Sequence, residues 1–303
     1  MTRECNFKIH CIDIDTMSCV GSFGFEDDHN HSTVSIVSSC HALLLISKLI
    51  DTDDLCEGIL NPMTNEFLEL PDREYDESSP YYGFGFNPKT KQYKLFRVTE
   101  RDRYEFYSIM EIMRFGDRSE TKEEWRHFKC PPISFDDHGA YLNGVIYWMG
   151  KEKGKAYVIY ALDVETEQME LVADLEVGPH NFRYNGYIAT LNKSVYAYVP
   201  IVGPCCTKIQ IWTMQGKEGW IREFVMYDEV SRGLRMPMQM VKVLKDGERW
   251  FFVEGNILCC DKTGMNIKIE SLWNSKIETR FDGLCQIESL NFGSIQNILA
   301  GYQ

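Results

Sequence analysis

Residues 82–95 read Tyr82-Gly83-Phe84-Gly85-Phe86-Asn87-Pro88-Lys89-Thr90-Lys91-Gln92-Tyr93-Lys94-Leu95. A short aromatic strand runs into a tight turn, and a second apolar strand leaves it. Gly83 and Gly85 leave bare backbone between aromatic residues, which suits close approach of a neighbouring strand. Asn87 opens the turn by bonding its own backbone, and Pro88 presets φ for the next position. Alone, the stretch is a hairpin. It decides the fold because the same punctuation returns along the chain.

Upstream, Ile59-Leu60-Asn61-Pro62-Met63-Thr64-Asn65-Glu66-Phe67 has the same shape. Downstream, Tyr141-Leu142-Asn143-Gly144-Val145-Ile146-Tyr147-Trp148 sets an Asn-Gly pair between apolar runs, a strong hairpin signal. Leu162-Asp163-Val164-Glu165-Thr166-Glu167, then Ile209-Gln210-Ile211-Trp212-Thr213-Met214, Trp250 to Val253 and Ile257 to Cys260 continue the plan. A four-strand unit therefore recurs about every 40 to 50 residues, the spacing of propeller blades. Each unit is expected to carry an [Asn/Asp]-x-x-Thr turn between its outer strands. Residues 101–115 are ambiguous, since Tyr104, Phe106, Tyr107, Ile109, Met110 and Met113 could line a helix or fill strands.

A lone four-strand unit cannot bury both faces of its sheet, so the units must pack side by side around an axis. The expected fold is all-β: one β-propeller domain over residues 1–303, with six blades. Phe7 to Ile14 should complete the blade begun by residues 284–299, so that pairing of the chain ends removes an open edge.

Composition bounds the function. The 303 residues carry a formal charge of −13, with acidic runs at Asp51–Glu57 and Asp72–Glu77. Such a balance argues against nucleic acid, whose phosphates need clustered Lys and Arg, and favours a basic protein partner. Eleven cysteines, with adjacent pairs Cys205-Cys206 and Cys259-Cys260, include no Cys-x-x-Cys. Reduced thiols in the cytoplasm or nucleus are the simplest account, with one thiol of each pair facing the core. No apolar run approaches the roughly 18 residues of a membrane span.

The motifs of phosphate loops, nucleophile elbows, dinucleotide turns and zinc peptidases are missing. Asp27-Asp28-His29-Asn30-His31 reads as a solvated loop rather than a metal site. No enzyme activity, cofactor or metal is expected. A rigid scaffold presenting loops to a protein partner is the alternative class. The candidate loops are 51–57, 72–82, 101–104, 178–184 and 230–236. Tyr75, Tyr81, Tyr82, Arg101, Arg183, Tyr184 and Arg235 are the candidate partner-binding residues, aromatic or Arg anchors of the type enriched at interface hot spots.

Together with Val37-Ser38-Ser39-Cys40-His41-Ala42-Leu43-Leu44, these stretches resemble, in order and spacing, the F-box-associated type 1 domain of plant F-box proteins. The resemblance covers nearly the whole chain and implies a kelch-like propeller. It implies the substrate-recognition half of a ubiquitin-ligase receptor, recruiting a protein target. In that family an F-box precedes the propeller and docks on a Skp-type adaptor and cullin. Residues 1–35 show no amphipathic helices of that kind, so adaptor and cullin are expected as partners only through an F-box outside this chain. A decoy or truncated product that binds the target without delivering it is the alternative, and a kelch- or sialidase-like enzyme a further one. One departure stands out: His41-Ala42 replaces the family's usual Asn-Gly, which questions the geometry of that turn.

Overall fold

The structure, a computed structural model, describes residues 7–13, 18–25, 33–49, 55–71, 80–100, 107–115, 125–130, 133–152, 155–175, 177, 185–202, 207–215, 219–228, 238–253, 256–264 and 267–271. All regular elements among them are strands. A hairpin of β1 (Phe7–Asp13) and β2 (Ser18–Phe25) comes first. Five antiparallel sheets follow. The first blade is β3 (Thr33–Cys40), β4 (Leu43–Leu49), β5 (Leu55–Asn61) and β6 (Glu66–Glu69). The second is β7 (Tyr81–Asn87), β8 (Gln92–Thr99), β9 (Ser108–Phe115) and β10 (Arg126–Cys130). In the third, β11 (Ser134–Phe135) and β12 (Ala140–Leu142) share one edge of β13 (Val145–Glu152), followed by β14 (Lys155–Asp163) and β15 (Gln168–Leu175). The fourth is β16 (Tyr187–Leu191), β17 (Ser194–Val202), β18 (Thr207–Gln215) and β19 (Gly219–Asp228). The fifth is β20 (Met238–Val243), β21 (Arg249–Val253), β22 (Asn256–Cys260) and β23 (Ile267–Ser271).

The propeller thus shows five complete blades and a two-stranded sheet at its N-terminal side. The closing partner expected at 284–299 lies outside the described residues. The ambiguity at 101–115 resolves as strand β9 for Ser108–Phe115. Its core-facing Met110, Ile112, Met113 and Phe115 leave no room for helical periodicity.

Alternation explains why the blades read as almost continuous apolar runs. Along β8, Tyr93 and Leu95 join the cluster shared with the first blade, while Phe96 and Val98 join the cluster shared with the third. Both faces of a middle strand are therefore buried. Cys259 and Cys260 follow the same rule, and both are buried, in separate clusters. This corrects the expectation that only one thiol of the pair faces a core.

In β7 the same alternation explains the opening motif. Tyr82, Phe84 and Phe86 pack toward the first blade. Gly83 and Gly85 turn the other way, where a Cβ on Gly83 would overlap the Trp148 ring and one on Gly85 would lie 2.8 Å from Val164 Cγ2. Aromatic bulk on one side and bare backbone on the other let the third blade close in.

The turns behave as the sequence reading requires. Asn87 Oδ1 accepts from Lys89 N (2.9 Å) and Thr90 N (3.2 Å), and Lys91 N closes the loop onto Asn87 O at 2.9 Å. Asn61–Asn65 and Asp163–Glu167 repeat the closure at 2.9 and 2.8 Å, and all three end in a residue of positive φ. One expectation is corrected. In the first and third blades this turn joins the outer strands, but in the second it joins the two inner ones, β7 and β8, and in the fifth a shorter turn, 261–264, takes its place, closing Gly264 N onto Asp261 O at 3.0 Å. The turn is local chemistry and fits either hairpin. His41 and Ala42 adopt φ of 47° and 67°, close to the 50° and 85° of Asn143-Gly144. The unusual pair keeps the ordinary hairpin turn.

A candidate protein-interaction face

Strand direction sorts the connections onto two faces. The C-terminal ends of β3, β7 and β12 converge: Tyr141 Oη donates to Phe86 O at 2.8 Å, and the His41 ring lies 4.8 Å from Phe86 and 5.7 Å from Tyr141. Their N-terminal ends converge on the opposite side. There Tyr82 N donates to His138 Nδ1 at 3.2 Å, and Gly186 N, just before β16, donates to Asp136 Oδ2 at 3.0 Å. Inner strands that run alike place first-to-second and third-to-fourth turns on one face. Second-to-third and blade-to-blade connections belong to the other, the crossover face.

Of the sequence-predicted partner residues, Tyr81 and Tyr82 are described, and both lie at the start of β7 on the crossover side. Tyr81 opens β7 there, partly buried, with its ring edge-on to Phe135 at 5.7 Å. Burial is the main influence raising its phenol pKa, helped by Glu100, Asp136 and Asp137. Tyr82 is 3 % exposed and belongs to the core between the first two blades. Its expected exposure is corrected: alternation turns it toward the first blade and turns Tyr81 toward the third, where it stays partly exposed. Tyr75, Arg101, Arg183, Tyr184 and Arg235 lie outside the described residues, as does the 27–31 loop.

The structure adds residues that the sequence reading missed. Asp136, Asp137 and His138 follow Pro131-Pro132 and lead into β12. Asp136 Oδ1 pairs with Lys151 at 2.7 Å, and burial outweighs its partners in raising its pKa. Asp137 accepts from His138 N at 2.7 Å, and desolvation pushes its carboxyl up to about 6. Desolvation lowers His138 to about 4, partly opposed by Glu57. The imidazole is therefore neutral at pH 7, as its acceptor role toward Tyr82 N requires. Adjacent Asp-Asp-His-Gly before a strand is the only sequence signal for this corner.

Beneath it sits a buried ion network. Arg97, 1 % exposed, reaches Glu57 across the blade boundary at 2.9 Å and Glu111 in its own blade at 3.2 Å. Its guanidinium carbon lies 3.9 Å from the Trp125 ring centroid. Charges so deeply buried need pairing of this kind, since an isolated one would cost several kcal/mol. The network ties the first two blades just below the crossover face.

No group of three or more His, Cys, Asp or Glu residues could hold a metal among the described residues. Nor is any helix there long and apolar enough to cross a membrane. What the corner offers is a buried carboxylate paired with Lys151 and one partly exposed aromatic ring, that of Tyr81.

A putative F-box protein of Arabidopsis thaliana is 26 % identical over 192 residues, covering 58 % of this chain and 44 % of the relative. A second Arabidopsis thaliana F-box protein is 24 % identical over 251 residues, covering 70 % of this chain and 57 % of the relative. The chain spans about half the length of the curated relatives it matches. Among solved structures, TolB from Acinetobacter baumannii overlaps at a TM-score of 0.39 and 11 % identity, covering 88 % of this chain and 66 % of that one. So loose a likeness carries nothing about activity. The profile of the F-box associated beta propeller domain matches residues 11–261, spanning β3 to β22 in full. With repeated blades, recurrent turns and that match in hand, the chain belongs to the F-box associated beta propeller family.

Proposed function

We propose that this propeller is a target-recognition module whose crossover face docks a basic protein, for delivery to a ubiquitin ligase of the F-box type. One observation carries the reading: in a chain of formal charge −13, the densest acidic runs fall in the sequence between β4 and β5 and between β6 and β7. The connection from β4 to β5 contains Asp51, Asp53 and Asp54, and that from β6 to β7 contains Asp72, Glu74, Asp76 and Glu77. Among the described residues, Asp136 and Asp137 lie beside Tyr81 at the crossover corner. Such charge speeds encounter with a basic partner and disfavours acidic ones. Tyr75, Tyr81, Arg101, Arg183, Tyr184 and Arg235 are the proposed anchors, since aromatic and Arg side chains dominate interface energies. The relatives' F-box names support ligase delivery, with a Skp-type adaptor and cullin engaged by a segment beyond this propeller.

The test is a tagged pull-down from plant tissue in three forms: wild type, Asp51/Asp53/Asp54→Lys, and Asp72/Glu74/Asp76/Glu77→Lys. The expected result is a basic protein enriched with wild type, depleted about tenfold or more by either charge reversal, and released by salt. Enrichment indifferent to both reversals would exclude this face. Target capture without adaptor and cullin, by a chain extended to the length of its relatives, would point to binding without delivery.

A further inference from the structure

The outermost strand of every blade leaves one edge without a partner strand among the described residues. An open edge invites pairing by other chains, and proteins commonly blunt it with charge. Strand β6 uses Glu66 and Glu69, β15 uses Glu170 and Asp174, β19 includes Glu223 and Asp228, and β23 includes Glu270. Strand β10 differs. It reads Arg126-His127-Phe128-Lys129-Cys130, with no carboxylate, in a chain of net charge −13.

Its surroundings reinforce the contrast. Phe128 is 42 % exposed, the most exposed large apolar residue among those described. The Arg126 guanidinium lies 5.3 Å from that ring, two positions along the strand and thus on the same face. Arg126 and Arg114, 41 % and 42 % exposed, both reach Glu167, at 2.8 Å each. Buried Lys94 takes the same carboxylate at 2.8 Å. Three cations share one anion, so the cluster keeps surplus positive charge, and its two arginines face solvent beside an exposed aromatic ring. On the opposite face, His127 reaches Glu111 at 3.2 Å, and Lys129 Nζ sits 4.0 Å from the Tyr107 ring centroid.

The geometry points to β10 as a docking edge for an extended acidic peptide segment, added as a further strand to the second blade. Main-chain bonds to the open edge supply the pairing, and alternate side chains supply the selectivity. An acidic side chain lies against Arg126 and Arg114, and an apolar side chain two residues away covers Phe128. A carboxylate or a phosphoserine provides the same chemistry toward the arginine pair, with bidentate geometry in either case. This site is separate from the crossover face and asks for a partner of opposite charge.

The test uses a fluorescein-labelled peptide repeating Glu-Thr-Val-Thr, a version with phosphoserine for Glu, a version with Lys for Glu, and a single-stranded oligonucleotide of matched charge. Fluorescence anisotropy should show saturable binding of the acidic peptides alone. Phe128→Ala and Lys129→Glu should each weaken it about tenfold. Neither change removes a buried partner, so both proteins should remain folded. Leu171→Ser, on exposed β15 of the next blade, should bind as wild type does. Hydrogen exchange should slow in β10 when peptide is present. Tighter binding of the phosphoserine version would identify a phosphorylated segment as the source, and equal or weaker binding a plain acidic one. Absence of binding, equal binding of the oligonucleotide, or indifference to both β10 substitutions would each overturn the proposal.

Discussion

The indole Nε1 of Trp148 donates a hydrogen bond to the carbonyl of Tyr82 at 3.1 Å, across the boundary between the second and third blades. Gly139 N donates to the same carbonyl at 2.7 Å. The indole is wholly buried and fits because Gly83 and Gly139 present no side chain: a Cβ on Gly139 would lie 2.6 Å from Trp148 Cε2. Glycine spacing in one blade and a large aromatic ring in the next are therefore one device.

Gly139→Ala should destabilise the fold by about 1–3 kcal/mol, because a rigid ring rather than a flexible tip must give way. A lower urea midpoint with unchanged slope would confirm it. Trp148→Ala should cost more, about 3–5 kcal/mol, through the cavity it leaves.

Arg97→Met should cost about 3–5 kcal/mol, since Glu57 and Glu111 lose the cation between them. Adding Glu57→Gln should recover part of the loss by removing a buried charge left unpaired. Equilibrium unfolding of both variants measures this, and a double variant no better than the single would refute the pairing as the cause.

Asp137 and His138 should make opposing contributions to the pH dependence of stability. Asp137 titrates near 6 in the fold, above its usual value, so its protonated form favours the fold at low pH and that contribution is lost as pH rises through about 6. His138 titrates near 4, below its usual value, so its contribution is present above about 6.5 and lost as pH falls toward 4. Between pH 4 and 6 the two slopes offset. Asp137→Asn should expose a stability that falls on acidification across this window. His138→Gln should expose one that rises. Urea midpoints from pH 4 to 7 distinguish the cases, and parallel curves would contradict both assignments.

Glu167 titrates near 2. Burial raises its pKa, but hydrogen bonds from Lys94, Arg114 and Arg126 lower it more. The stabilisation is complete above the unfolded carboxylate's value, about 4.3, and is lost as pH falls toward 2. Glu167→Gln should therefore be clearly less stable than wild type at pH 7, with the difference shrinking by pH 3.

Ala42→Gly should stabilise the protein by about 0.5–1 kcal/mol, because Ala42 holds φ of 67°, a region costly for any residue with a Cβ. The measurement is the shift in thermal or urea midpoint. A lower midpoint would mean that the packing of this buried methyl outweighs the backbone strain.

The amino-acid sequence by itself determined the strands, the hairpin turns and the blade period. These rest on local chemistry: Asn87 and Asp163 fold their own backbone, and apolar runs of strand length need a second layer. It did not determine which hairpin of a blade takes the Asn-Pro turn, because that turn closes any antiparallel pair. Nor did it separate Tyr81 from Tyr82, since a one-residue step reverses the side-chain direction and the strand's exact start decides which ring is covered. Asp137 and His138 carry no motif in the sequence, and only burial against the second blade altered their proton affinities. The sharing of one carboxylate by Lys94, Arg114 and Arg126 was equally hidden, since residues up to 73 positions apart met there only when two blades packed. The tertiary structure also decided the faces. Phe86 meets Tyr141 at one end of the blades and Tyr82 meets His138 at the other because inner strands run in the same direction, a property of the assembled blades rather than of any single segment.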